Sequence, residues 1–333
     1  MTISPAILII APSWVGDMVM AQSLFKRLKQ RQPEPIIDVL VPKAMGDLLQ
    51  RMPEVRKIWT HTIAHGHLAW STRYQLGKQL RVWQYQQAIV LQNSWKSALI
   101  PYWAHIPISS GFIGEMRYGL LNDLRRKNKK LLAKTVEQFV ALGLPEHSEL
   151  SKIPIPSLIP QAAKTILSQH QLTTAQPILA LCPGAEYGIA KRWPPAFFAQ
   201  VAQQKISEGW QVWLFGSQKD NEIAEEIQKL TGNQCSNLCG KTQLAEAVDL
   251  LALATMIISN DSGLMHIAAA LNKPLIAVYG SSDPHMTPPL SHKSHILYKN
   301  LPCSPCFQRT CPLGHLRCLH TITPEEVLAL ISL

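Results

Sequence analysis

Asp261, Ser262, Gly263 and Leu264, with His266 just beyond, stand where the apolar run at 252–258 gives way to a helix-like apolar pattern. A carboxylate, a hydroxyl and a glycine at such a corner either start a helix or hold a ligand. Backbone N–H groups at 262–264, pointing out of a helix start, form a ready anion site. Asp261 would repel a phosphate there, so its natural partners are the hydroxyls of an attached sugar. His266 reads either as a core histidine or as part of the same site. A second stretch, CPGAEYGIAKRWP, also follows an apolar run: Gly184 and Gly188 bracket a loop expected to be flexible. Lys191 and Arg192 then precede a helix opened by Pro194 and Pro195. Cations at a helix start oppose its dipole, so they are either surface charges or the partners of an anion lying between them and the helix.

A third stretch, APSWVGDMVMAQSL, sets Gly16 at an expected tight turn and Asp17 at the start of a helix. Asp17 is then a capping carboxylate, stabilising by about 1 kcal/mol, or a general base. The helix start would keep such a base ionised but weak. In LFGSQKDNEIA, Gly216 and Ser217 end a run and Asp220 or Asn221 caps the next helix. Two tempting motifs fail. With a single Gly in the first loop, the dinucleotide fingerprint G-x-G-x-x-G is absent; Gly240-Lys241-Thr242 lacks the P-loop glycine, because position 235 is Cys. Cys303 and Cys306 have half a zinc-site spacing. Cys311, His315 and Cys318 supply no second regular pair, so the reading is reduced structural thiols with no metal and no cofactor.

These loops need strands to carry them. Short apolar runs at 6–10, 36–41, 57–59 and 88–91 alternate with helix-period stretches at 18–30, 44–51, 73–83, 95–104 and 131–142. After a proline-rich joint (Pro145, Pro154, Pro156, Pro160) the alternation resumes. Strands are expected at 178–182, 211–215, 256–259 and 275–279, and helices at 195–207, 219–230, 244–253, 263–271 and 324–332. Such alternation predicts an α/β protein with parallel sheets. The 333 residues suit two domains, 1–155 and 156–333, doubly wound and facing each other across a cleft. In open α/β sheets ligands bind beyond the carboxyl ends of the strands, which is where all four loops lie.

The net charge is +10. Arg117, Arg125, Arg126, Lys127, Lys129, Lys130 and Lys134 crowd one stretch, which predicts an anion-facing surface. No nucleic-acid-binding motif accompanies the charge. The first apolar run is broken at Pro12 and has no basic leader, and no window approaches the roughly 20 apolar residues of a membrane span. A cytoplasmic protein is expected.

Taken together, PSWVGDMVMAQSL, GEMRYGLLND, CPGAEYGIAKRWP, LFGSQKD, NDSGLMHIAAALNKPLIAVYG and TPPLSHK resemble the ADP-heptose:lipopolysaccharide heptosyltransferases of glycosyltransferase family 9. The resemblance runs from residue 6 to about 293. It implies a GT-B fold of two Rossmann-like domains, the N-terminal one for the acceptor and the C-terminal one for the donor. It also implies inverting, metal-independent transfer of L-glycero-D-manno-heptose from ADP-heptose to heptosyl-Kdo2-lipid A, with Kdo2-lipid A as the alternative acceptor. By the same resemblance Asp17 is the base and Lys191 meets the donor phosphate and sugar. Asp261 holds the heptose, and Ser262, Gly263, Leu264 and His266 form the donor loop, with Gly184 and Arg192 beside it. Arg117, Arg125, Arg126 and Lys127 would then face the phosphorylated lipid acceptor at the cytoplasmic leaflet of the inner membrane, where the enzyme sits peripherally. Two other classes fit a two-domain α/β chain of this charge. A nucleotide-sugar epimerase would act without a lipid acceptor, and a non-catalytic glycolipid binder would keep its affinity after Asp17 is neutralised.

Overall fold

The computed structural model describes residues 4–64, 66–128, 130–150 and 152–331. The chain divides after Pro156 into two compact units. The first contains β1 (Ala6–Ile10), α1 (Val15–Lys29), β2 (Ile36–Pro42), α2 (Gly46–Leu49), β3 (Val55–His61), α3 (Trp70–Arg81), β4 (Gln87–Val90), α4 (Trp95–Trp103), β5 (Ile108–Phe112), β6 (Asp123–Arg125) and α5 (Thr135–Leu142). The second contains α6 (Lys164–Gln169), β7 (Ile178–Cys182), α7 (Pro195–Ser207), β8 (Gln211–Leu214), α8 (Asn221–Leu230), β9 (Ser236–Asn237), α9 (Leu244–Leu251), β10 (Met256–Asn260), α10 (Gly263–Ala270), β11 (Leu275–Val278), β12 (Ser294–Leu297), α11 (Arg317–His320) and α12 (Pro324–Ile331).

Each unit is built on a six-stranded sheet, ordered β3-β2-β1-β4-β5-β6 in the first and β12-β11-β10-β7-β8-β9 in the second. All the strand pairings between them are parallel. Numbered within its own unit, the second order is the first one repeated, and both are the Rossmann order 3-2-1-4-5-6. The α/β class read from the sequence is the class observed. The central strands AILII, ILALC and LIAV are apolar along their length, MIISN is apolar up to Ser259, and all are buried on both faces, as a parallel sheet covered by helices requires.

Where the chain order reverses, the loops after β1 and β4 open side by side in the first unit, and those after β7 and β10 in the second. A Rossmann-type sheet places its ligand at that switch point.

Several expected elements differ. β5, β6, β9 and β12 were not anticipated: β5 carries Ser109, Ser110 and Gly111, β6 and β9 are short and polar, and β12 opens with Ser294 and His295. The helix expected over 131–142 begins at Thr135, because the Glu137 carboxylate accepts the Lys134 backbone N–H at 2.8 Å and so fixes the first turn there. Gly16 makes no turn; it is the second residue of α1. Lys129 and Ser332 lie outside the described residues.

Candidate active site

In the second unit the strand ends bring together residues that are distant in sequence. Lys191 closes a 3-10 turn, Ile189–Lys191, in the loop after β7. Its Nζ donates to Asp261 Oδ2 at 2.5 Å, and the Ser282 hydroxyl donates to the same oxygen at 2.5 Å. The Asp261 side chain is 5% exposed and that of Lys191 17%. Asn260 locks the two loops together: its Nδ2 donates to the Pro183 carbonyl at 2.7 Å, and its Oδ1 accepts the Trp193 backbone N–H at 2.9 Å. Loop 183–192 is packed, contrary to the expected flexibility. A Cβ on Gly184 would run into the Asp220 carboxylate, and one on Gly188 into the Arg309 carbonyl.

The alternative that Asp261 merely starts a helix is excluded by geometry. Ser262 occupies the cap position of α10, with no side-chain capping bond, while Oδ2 of the Asp261 carboxylate is taken by Lys191 and Ser282. The first-turn amides of α10 have no intrahelical acceptor. His266 is 5% exposed. Burial pushes its pKa down to about 4, against the attraction of Asp261 and with the repulsion of Lys191, so its imidazole is neutral at pH 7. The anions that partner the Lys191–Arg192 pair come from the chain itself. Arg192 Nη2 lies 3.6 Å from Asp220 and donates to the Ala185 carbonyl at 3.3 Å, and its buried Nε has no partner. Asp220 accepts the Ser217 backbone N–H at 2.9 Å and its hydroxyl at 2.7 Å. Ser282, four residues beyond the end of β11, escaped the sequence reading.

The Cys-rich segment braces this site from behind. The Arg309 carbonyl accepts the Ala190 N–H at 3.1 Å, the Phe307 carbonyl accepts the Tyr187 hydroxyl at 2.6 Å, and the Phe307 N–H donates to Ser281 at 2.8 Å. Cys303, Cys306, Cys311 and Cys318 are free thiols lining a cavity of about 20 Å³ with His315. Among the described residues no group of three or more His, Cys, Asp or Glu side chains is disposed to hold a metal ion.

In the first unit a cavity of about 620 Å³ opens at the switch point, lined by Ser13, Trp14 and Asp17 after β1 and by Gln92, Asn93 and Ser94 after β4. Asp17 is the third residue of α1, in its first turn, where the helix dipole favours a carboxylate. His61, His67, Arg73 and Lys96 also line the cavity and were missed in the sequence. The position of His61 at the end of β3 was the available signal. Burial and the Arg73 charge hold the His61 pKa below its usual value.

Of the basic residues assigned to an anion-facing surface, Arg117, Arg125, Arg126 and Lys127 separate into two kinds. Arg117 is 1% exposed and Arg125 9%. Arg117 donates to the Phe112 carbonyl and, at 2.5 Å, to the Gln92 carbonyl. Arg125 pairs with Asp123 at 2.6 Å and donates to the carbonyls of Ala141 and Leu144 at 2.8 and 2.6 Å. Both guanidinium groups brace backbone inside the fold, which corrects their surface assignment. Arg126 and Lys127 are exposed.

Two Rossmann-ordered sheets, one with a cation–carboxylate pair at its switch point and the other with a carboxylate in a cavity, make this an α/β protein with chemistry-bearing side chains at both switch points. The model of glycosyltransferase family 9 (heptosyltransferase) matches residues 73–317, and the chain belongs to that family. It is 46% identical to the lipopolysaccharide heptosyltransferase 2 of Salmonella typhimurium, over 97% of this chain and 96% of that protein. It is 49% identical to the lipooligosaccharide heptosyltransferase 2 of Haemophilus influenzae, over 87% and 88%. A lipopolysaccharide heptosyltransferase 1 from Pseudomonas aeruginosa is 30% identical over only 44% of this chain. Among solved structures, E. coli ADP-heptose LPS heptosyltransferase II superposes with a TM-score of 0.87 at 42% identity, covering 98% of this chain and 97% of that one.

Proposed function

We propose that this glycosyltransferase moves L-glycero-D-manno-heptose from ADP-heptose to heptosyl-Kdo2-lipid A, with inversion and without a divalent metal. The observation that carries the reading is the buried Lys191–Asp261–Ser282 cluster at the strand ends of the second unit. Both donors occupy Asp261 Oδ2, which leaves Oδ1 to accept hydrogen bonds from the heptose hydroxyls. Lys191 keeps two further N–H groups for the diphosphate, and the α10 amides supply the rest of the anion site. In the reaction the Asp17 carboxylate takes the proton of the acceptor hydroxyl. That oxygen attacks the anomeric carbon from the face opposite the leaving group. The bond from the anomeric carbon to the β-phosphate oxygen breaks, and ADP departs with the electron pair. Lys191 and the helix start meet the charge growing on the β-phosphate, as preorganised electrostatics.

The second heptose is favoured over the first because the relatives matched along nearly the whole chain are named heptosyltransferase 2, whereas the heptosyltransferase 1 match is partial. The acceptor lipid sets the enzyme at the cytoplasmic face of the inner membrane as a peripheral protein; no helix among the described residues is long and apolar enough to cross a membrane. The test is ADP release from ADP-heptose with heptosyl-Kdo2-lipid A, with and without EDTA. Equal rates are expected. Loss of rate with EDTA and its return with magnesium or manganese would overturn the metal-free leaving-group argument.

A further inference from the structure

Residues 55–114 contain no Asp or Glu, but hold Arg56, Lys57, Arg73, Lys78, Arg81 and Lys96 and five of the nine tryptophans. This 60-residue run without a carboxylate, in a chain with 22 of them, includes both α3 and α4. The tryptophans on that surface are not all inside. Trp70 is 55% exposed, Tyr74 39%, Val82 78% and, on the next helix, Tyr102 52%.

Trp70, Tyr74, Lys78 and Val82 follow one another at intervals of four along α3 and its C-cap, so they form one stripe of the helix. Trp103 of α4 joins that stripe edge-on, 4.9 Å from the Trp70 ring and 5.6 Å from Tyr74. The contact is fixed by Gly77, where a Cβ would come within 2.6 Å of the Trp103 Cβ; only a glycine lets α3 and α4 approach so closely. Cations edge the cluster. Lys78 Nζ lies 5.7 Å from the Tyr74 ring, and Arg81 Nε donates to the Trp103 carbonyl at 2.7 Å.

We propose that this α3–α4 face is the surface by which the protein docks on an anionic lipid bilayer. Exposed Trp and Tyr are the side chains that settle at the headgroup level, with apolar rings and polar tips. Lys and Arg beside them add electrostatic attraction to anionic headgroups. Neither α3 nor α4 carries a carboxylate of its own to repel that surface. The inference deepens the membrane-peripheral reading above and rests on it for its setting. It moves the docking surface from the 117–134 stretch, where two of the arginines are internal braces, to α3 and α4.

The test is co-flotation of the full chain with vesicles of equal parts phosphatidylcholine and phosphatidylglycerol, against vesicles of phosphatidylcholine alone. The parent protein should float with the anionic vesicles and little with the neutral ones. Trp70→Ser with Tyr102→Ser should weaken partition about tenfold, and Lys78→Gln about fivefold. Neither change touches the cavity that holds Asp17, so an unchanged thermal melt and an unchanged rate on a water-soluble, delipidated acceptor should accompany the loss. Parental flotation of the aromatic variant would overturn the assignment, as would loss of flotation in Arg126→Gln with Lys127→Gln alone. Vesicle-free self-association abolished by Trp70→Ser would overturn it in favour of a contact between copies. A protein that floats as described but turns over no acceptor would refute the proposed function and leave the docking surface standing.

Discussion

Replacing Asp261 by Asn separates the roles of the residue at the centre of the second unit. The substitution keeps the shape and one acceptor but removes the charge that faces Lys191. Breaking a buried pair by neutralising one partner costs about 3–5 kcal/mol. Lys191 retains 17% exposure and can turn partly to water, so the lower end, about 3 kcal/mol, is expected here. For a unit of the length Ser157–Leu333 that corresponds to a fall of roughly 6–12 °C in Tm. Binding should divide. The heptose hydroxyls lose a charge-assisted acceptor worth roughly 1.5–3 kcal/mol, so ADP-heptose should bind about 10- to 100-fold more weakly. ADP lacks the sugar and meets a Lys191 freed from its carboxylate, so its affinity should hold or rise. Paired titrations of ADP and ADP-heptose on parent and variant, with a melt of each, give the answer. Equal weakening of both ligands would place Asp261 at the nucleotide. An unchanged melt with both affinities unchanged would refute the view that the Lys191–Asp261 pair organises the site.

Asp17→Asn should leave the melt and ADP-heptose binding nearly unchanged while turnover falls by at least ~10²-fold; near-parental turnover would reduce Asp17 to a helix-terminal carboxylate. His266 has a folded pKa depressed to about 4. The unfolded chain therefore binds the proton first, and stability present above about pH 6.5 is lost as pH falls towards 4, by roughly 3 kcal/mol in all. Melts from pH 7.5 to 4.5 should show this slope, and His266→Gln should flatten it; equal slopes would mean other groups carry the acid sensitivity. Gly184→Ala presses a methyl group into the Asp220 carboxylate and should destabilise by about 1–3 kcal/mol, read as a lower denaturation midpoint; an unchanged midpoint would mean that the Asp220 carboxylate gives way at no cost.

The central strands were legible because a parallel strand buried on both faces is apolar along most of its length, as AILII and ILALC are. The edge strands were not: Asp123–Arg125 and Ser236–Asn237 are held by backbone pairing to one neighbour and need no apolar code. The loops at the switch points stood out since each follows a readable strand, which is why Asp17, Lys191 and Asp261 were named as candidates. Their partners were another matter. Lys191 and Asp261 are 70 residues apart, and no local pattern says that one neutralises the other. The misreading of Arg117 has the same root. A cluster of basic residues in sequence carries no sign of which guanidinium turns inward, and the carbonyls that hold Arg117 belong to Phe112 and Gln92.

The most direct test of the central claim is to offer the purified protein ADP-heptose with either heptosyl-Kdo2-lipid A or Kdo2-lipid A and to identify the products by mass spectrometry. The account predicts one added heptosyl residue on heptosyl-Kdo2-lipid A, stoichiometric release of ADP, and little or no product from Kdo2-lipid A. Efficient modification of Kdo2-lipid A alone, or ADP-heptose consumed with no heptose on either lipid, would contradict it.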